Sequence, residues 1–196
     1  MLTLIKYIQY KGFFMPRNMI HQYVKDLTGD RLASGYEHCY RVYHLARELD
    51  TNYDEDVLYA ACFLHDLITT GNDFHIKSAE KAEQLLHEVG FPAEKISTVV
   101  ECIRTHAPDE KPILKEAQLR HDANLIDSLG AIGVIRLSIG AFFWHHLKNL
   151  KQIVDLIKSY RNKASNLIFP KAKELAKIKI EFMDKLLSEL DKEENL

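Results

Sequence analysis

The chain has 196 residues, of which 46% are hydrophobic and 28% charged, and its formal net charge is −2. This composition is typical of a soluble globular protein with a sizeable core, and the charge gives no overall attraction to nucleic acid. No run approaches the roughly 18 apolar residues of a spanning helix, and Lys6, Gln9 and Lys11 interrupt the apolar N-terminal segment. We therefore expect a cytoplasmic protein with no membrane contact and no specific nucleic-acid binding.

Helical spacing of apolar residues recurs along the chain, and no stretch alternates with period two. Pro16 is predicted to open a helix that ends at Gly29, and a capping box, Ser34 to Glu37, to start the next. Asp54 is predicted to cap the following helix. The remaining helices are predicted over residues 78–89, 92–106, 114–129, 131–144, 150–164 and 170–190. With no linker to divide it, the chain is predicted to be a single all-α, multi-helix bundle over residues 1–196.

The three cysteines, Cys39, Cys62 and Cys102, are widely spaced and form no CxxC pair. Neither a disulfide framework nor a cysteine zinc knuckle is expected from such a pattern. We predict that all three are small buried residues of the core.

An apolar stretch, Tyr59 to Leu64, ends in the adjacent pair His65 and Asp66. A buried helix that ends on an imidazole and a carboxylate needs something to compensate for their removal from water. A divalent metal ion would do so, and His38 and Asp122 are candidates to complete its ligand set. Three helices of a bundle can bring these four side chains together.

The proposed set holds two imidazoles and two carboxylates. Such a mixture suits Mn²⁺, Mg²⁺, Fe²⁺, Co²⁺ or Ni²⁺ with open positions for water, whereas a closed structural zinc site more typically has thiolates. The sequence therefore predicts one divalent metal ion as cofactor.

The order of these residues resembles the HD-domain metal-dependent phosphohydrolases, which are named for the adjacent His-Asp pair. Residues 38–42, HCYRV, are similar to the HxxRV around the family's first ligand. Residues 122–136, DANLIDSLGAIGVIR, are similar to the DADxLDAxGAxGxxR stretch of one bacterial subgroup. The likeness covers roughly residues 34–136, followed by a helical extension over residues 150–190. It implies that His38, His65, Asp66 and Asp122 are the metal ligands.

The resemblance also implies an activity, the hydrolysis of a phosphate ester or phosphoanhydride by metal-activated water, with a small nucleotide as the expected substrate. Asp66 or Asp122 would accept a proton from that water, and His106 would protonate the leaving group. Arg41, one turn after His38, is a candidate for binding a substrate phosphate or for holding Asp66, and His75 is a second substrate-binding candidate.

Two alternatives remain open. Some relatives in this family hold two irons and oxidise their substrate with O₂, which here would require His75 and His106 to converge on a second ion. The other alternative is a nucleotide-binding or interaction module that catalyses no reaction. The sequence is compatible with an oligomer.

Overall fold

A computed structural model describes residues 16–105, 111–143 and 147–194 of the chain. Over these residues the protein forms nine α-helices and one short 3₁₀ helix, and no strand. The predicted all-α fold class is therefore confirmed. The helices are α1 (Pro16–Thr28), α2 (Tyr36–Leu49), α3 (Glu55–Leu64), α4 (Phe74–Glu88), α5 (Ala93–Arg104), α6 (Lys115–Asp127), α7 (Gly130–Phe143), α8 (Leu150–Lys163) and α9 (Pro170–Glu194), with the 3₁₀ helix at Ala164–Asn166.

The chain divides into two compact units, residues 1–121 and 122–196, and the boundary falls inside α6. Each unit has its own set of packed helices. The expectation of a single domain stays a prediction.

Helix α3 is the centre of the first unit. Every residue from Val57 to Leu64 is buried, and α1, α2 and α5 pack against the helix. A helix that is apolar on all sides is stable only inside a core, where burial of a side chain such as Phe63 contributes roughly 2–3 kcal/mol. Helix α3 ends at Leu64, and the next two residues of the chain are His65 and Asp66.

Helices α2 and α3 are capped differently at their N-termini. The Asp54 side chain accepts hydrogen bonds from the backbone N–H groups of Asp56 (3.0 Å) and Val57 (3.1 Å), so the predicted cap of α3 is confirmed. The capping box predicted at α2 is wrong, because the N-cap is Gly35 and no side chain caps this helix. A Cβ at Gly35 would lie 2.3 Å from the carbonyl oxygen of Arg31, so only glycine fits there.

In the second unit, α7, α8 and α9 pack against one another. Gly130 has a φ of +73°, the left-handed conformation that glycine adopts without strain, and separates α6 from α7. At Gly133 a Cβ would lie 2.2 Å from the backbone of Ser128, so a residue with a side chain would not fit there without a shift of the backbone. Arg136 Nη1 then lies 2.8 Å from Asp127 Oδ2, in a largely buried ion pair.

The cysteines and the apolar helices were also subjects of sequence predictions. All three cysteines are free and buried, as predicted, and burial raises the pKa of the Cys102 thiol to about 12. Across the described parts of the chain, no single helix is both long enough and apolar enough to cross a membrane. Helices α6 and α7 meet these two criteria only when they are taken together, and the pair is bent by 87°.

Candidate metal centre

His65 is positioned by the end of α3 itself. It is the C-cap residue of that helix, and its Nδ1 lies 2.9 Å from the carbonyl oxygen of Cys62, three residues earlier. A proton on Nδ1 donates to that oxygen, and this leaves the Nε2 lone pair available to a ligand. The same arrangement orients metal-binding histidines in many proteins.

Three of the four predicted ligands present their donor atoms to one another. His38 Nε2 lies 3.2 Å from His65 Nε2, and Asp66 Oδ2 lies 3.6 Å from each of these two nitrogens. A point equidistant from the corners of this triangle is about 2.0 Å from each donor atom, which is the length of a bond from a divalent metal to imidazole or carboxylate. The three side chains therefore fit one metal ion without rearrangement.

Burial gives the same indication. The side chains of His38 and His65 are 2% and 0% exposed, and that of Asp66 is 15% exposed. Two buried imidazoles that direct ring nitrogens at each other and at a carboxylate suit a shared cation. A search of the described parts of the chain for three or more clustered histidine, cysteine or carboxylate donors finds this group of His38, His65 and Asp66. Of the three side chains, Asp66 lies on the side of the group that is more exposed to solvent.

The segment that follows the His-Asp pair is held by two side chains, Arg31 and Ser78, that no motif in the sequence singles out. Arg31 donates hydrogen bonds to the carbonyl oxygens of Asp66 (2.9 Å) and Leu67 (3.3 Å). The buried hydroxyl of Ser78 accepts from the N–H of Ile68 (3.0 Å) and donates to its carbonyl oxygen (3.1 Å). Ser78 is available because α4 begins at Phe74, four residues before the predicted start.

Asp122, the fourth predicted ligand, is fully buried in the second unit. Its carboxylate accepts hydrogen bonds from the backbone N–H groups of Ile168 (2.8 and 3.1 Å) and Phe169 (2.8 Å), immediately before α9. These contacts fix the orientation of the carboxylate. Its assignment as a metal ligand stays a prediction.

The remaining predicted site residues are placed as follows. Arg41 is half-buried and lies one turn after His38 on α2, as the sequence required. His75 is half-buried in the first turn of α4, and among the described residues it does not belong to the donor group around His65. His106 lies outside the described residues. Their functional assignments stay predictions.

Comparison with known proteins gives the family. The family model of the HD domain matches residues 35–129, close to the stretch whose motifs carried the resemblance. Residues 35–129 of this chain form an HD domain. A search of curated proteins finds no match.

Solved structures of the HD fold are similar over nearly the whole chain. Bacillus subtilis YpgQ in complex with ADP is 22% identical, with a TM-score of 0.69, and the alignment covers 90% of this chain and 97% of YpgQ. A Lactobacillus plantarum protein is 20% identical, with a TM-score of 0.75 and coverage of 92% and 97%. An HD-superfamily hydrolase from Bacillus thuringiensis is 21% identical, with a TM-score of 0.66 and coverage of 91% and 96%. At these identities the likeness shows the shared fold.

Proposed function

We propose that this HD-domain protein is a metal-dependent phosphohydrolase whose substrate is a small nucleotide. The observation that carries the proposal is the donor triangle of His38, His65 and Asp66, which fits one divalent ion. The HD-domain match and the fold shared with an HD-superfamily hydrolase support hydrolysis as the reaction. The complex of YpgQ with ADP supports a nucleotide as the substrate class.

In this proposal, His38, His65 and Asp66, with Asp122 as the fourth ligand, would hold a divalent ion, which would supply the Lewis acidity that lowers the pKa of water and polarises a phosphoryl oxygen. Mn²⁺, Mg²⁺, Fe²⁺, Co²⁺ and Ni²⁺ all suit this ligand set. The two buried imidazoles hold their Nε2 atoms towards the centre, and the hydrogen bond to Cys62 keeps the His65 ring from turning.

The chain's own groups would carry the proton and phosphate chemistry. Asp66 is the most exposed of the three donors, and its carboxylate would accept a proton from the attacking water. Arg41 would bind a substrate phosphate through its guanidinium, with His75 as a second phosphate contact. His106 would donate a proton to the leaving oxygen.

The experiment that tests this proposal measures phosphate and pyrophosphate release from a panel of nucleoside mono-, di- and triphosphates. Each substrate is assayed with Mn²⁺, Mg²⁺ or Co²⁺, and with EDTA. Asp66→Ala is compared with the matched control Asp73→Ala, which removes an exposed carboxylate paired with Lys77.

The proposal predicts metal-dependent release that disappears in Asp66→Ala and persists in Asp73→Ala. Silence across the panel in protein that binds the metal stoichiometrically would contradict it. Iron-dependent oxygen consumption would then favour the di-iron oxygenase, and nucleotide binding without product would favour the non-catalytic module.

A further inference from the structure

Helix α7, in the second unit, has its small residues inside and its large apolar residues outside. The buried residues of this helix are Gly130, Gly133, Gly140 and Ala141. By contrast, Ile132, Ile135, Phe142 and Phe143 are 46%, 60%, 68% and 58% exposed. A surface helix normally has the opposite arrangement, because burial of large apolar side chains stabilises the fold. An outward apolar face of this kind indicates a surface that binds a partner.

The spacing of these side chains indicates what kind of partner fits them. Ile132, Ile135, Ile139 and Phe142 follow one another at intervals of three, four and three residues, which is the spacing of helices that pack lengthwise against each other. We call these four residues the α7 seam. They lie within about 80° of arc around the helix axis, and none of them is charged. Another helix with the same spacing is the natural complement of such a seam, and a second copy of α7 supplies one.

The exposed apolar area is sufficient for a dimer. Leu150, the first residue of α8, is 56% exposed. With roughly 200 Å² for each large apolar side chain, Leu150 and the four exposed residues of α7 present about 550 Å² of apolar surface. A stable interface buries about 800 Å² on each partner, of which about 65% is apolar in a homodimer. The surface of α7 and the start of α8 therefore provides the apolar area that one half of a homodimer interface requires.

The C-terminal end of α7 adds a concave part to this surface. Phe142, Phe143, Leu147, Leu150 and Ile153 line a groove of about 750 Å³ between the end of α7 and the first turn of α8. In a twofold dimer with antiparallel α7 helices, this groove faces the N-terminal end of the partner's helix. The same contact then occurs twice, once on each side of the axis.

We propose that this protein forms a homodimer in which the α7 seam of one protomer packs against the α7 seam of its partner, antiparallel about a twofold axis. Burial in the dimer accounts for the outward isoleucines and phenylalanines of α7 and for the inward glycines that let this helix lie close to its own unit. The dimer is independent of the proposed function, because the donor triangle belongs to the first unit and α7 to the second.

Sedimentation equilibrium of the full chain at micromolar concentrations tests the dimer. We expect the wild type to have twice the chain mass of 22.7 kDa. Ile135→Glu should raise the dissociation constant of the dimer by more than about 100-fold, because symmetry buries two carboxylates in the interface. The matched control is Ile113→Glu, at an isoleucine of the first unit that is 89% exposed, and it should dimerise like the wild type. Circular dichroism establishes that each variant is folded.

A cross-linking experiment locates the contact. The three native cysteines are buried, so Ile135→Cys introduces an exposed thiol in the middle of the seam. The axes of packed helices are about 8–10 Å apart. A bismaleimide of similar span should therefore join two copies of Ile135→Cys and should leave the control Ile113→Cys as single chains.

A wild type that stays monomeric at these concentrations would overturn the inference. Binding of that monomer to vesicles of phosphatidylglycerol, with loss of binding in Ile135→Glu, would then assign the α7 seam to a lipid surface. Survival of the dimer in folded Ile135→Glu would also overturn the inference, because the interface would lie elsewhere. Each of these readouts is a mass or a binding measurement, so none depends on whether the protein hydrolyses nucleotides.

Discussion

The end of α3 and the middle of α6 both carry predicted metal ligands, but their polar groups are held in different ways. At the end of α3, His65 bonds a carbonyl oxygen three residues earlier, and Ser78 holds Ile68 from ten residues away. On α6, the Asp122 carboxylate is bonded by backbone groups 46 and 47 residues further along the chain. The first region therefore combines local contacts with the long-range hydrogen bonds that Arg31 donates to Asp66 and Leu67, whereas the backbone groups that bond the Asp122 carboxylate are all distant in sequence.

This difference has a consequence for metal binding. The donor triangle is assembled from α2 and the end of α3, and its orientation is fixed within the first unit. The orientation of Asp122 is fixed by the segment before α9, within the second unit. Substitutions in the donor triangle should accordingly act mainly on metal affinity, whereas a substitution of Asp122 should also lower the stability of the second unit.

The largest effect is expected from His65→Ala. The substitution removes one donor atom of the triangle and the ring that bonds the Cys62 carbonyl, so that Mn²⁺ affinity should fall by more than about 100-fold. Titration of Mn²⁺ followed by calorimetry measures the loss. His44→Ala, an exposed histidine on α2, is the matched control and should bind like the wild type. Retained Mn²⁺ affinity in folded His65→Ala would show that the ion binds elsewhere.

Asp122→Ala should act mainly on the second unit. Without the carboxylate, the N–H groups of Ile168 and Phe169 lose their acceptor, at a cost of about 2 kcal/mol in the free energy of unfolding. Urea denaturation measures the loss, and hydrogen exchange should be faster at those two amides. The exposed carboxylate of Asp155 provides the control, Asp155→Ala. Unchanged stability and unchanged amide protection in Asp122→Ala would show that the carboxylate does not hold the segment before α9.

A smaller effect is expected from Ser78→Ala, which tests the contacts that hold the end of α3. The buried hydroxyl serves both backbone groups of Ile68, so its loss should lower the free energy of unfolding by about 1–2 kcal/mol. Urea denaturation of Ser78→Ala and of the exposed control Ser97→Ala measures the difference. Equal stability of the two variants would show that the segment is held by other contacts.

The parts of the fold that depend on local sequence could be predicted. The apolar stretch from Tyr59 indicated a buried helix that ends at His65 and Asp66, and Asp54 indicated its start. That Gly35 and not Ser34 caps α2 could not be predicted, and neither could the nearby Arg31 carbonyl oxygen that leaves no room for a Cβ at Gly35. Both are properties of the folded chain.

The candidate site shows the same division. His38, His65 and Asp66 were selected from their order and flanking motifs, and the structure brings their donor atoms together. The hydrogen bonds of Arg31 had no sequence signal, because arginines are mostly found on surfaces. Asp122, His106, Arg41 and His75 remain predicted site residues.

The most direct measurement is anomalous X-ray scattering from a crystal of the wild-type protein grown with Mn²⁺. The account predicts a manganese peak about 2.0–2.3 Å from His38 Nε2, His65 Nε2 and an oxygen of Asp66. The same map would show whether Asp122 is a ligand. Manganese at full occupancy elsewhere, with no peak between these three side chains, would contradict the central claim that they form the metal centre.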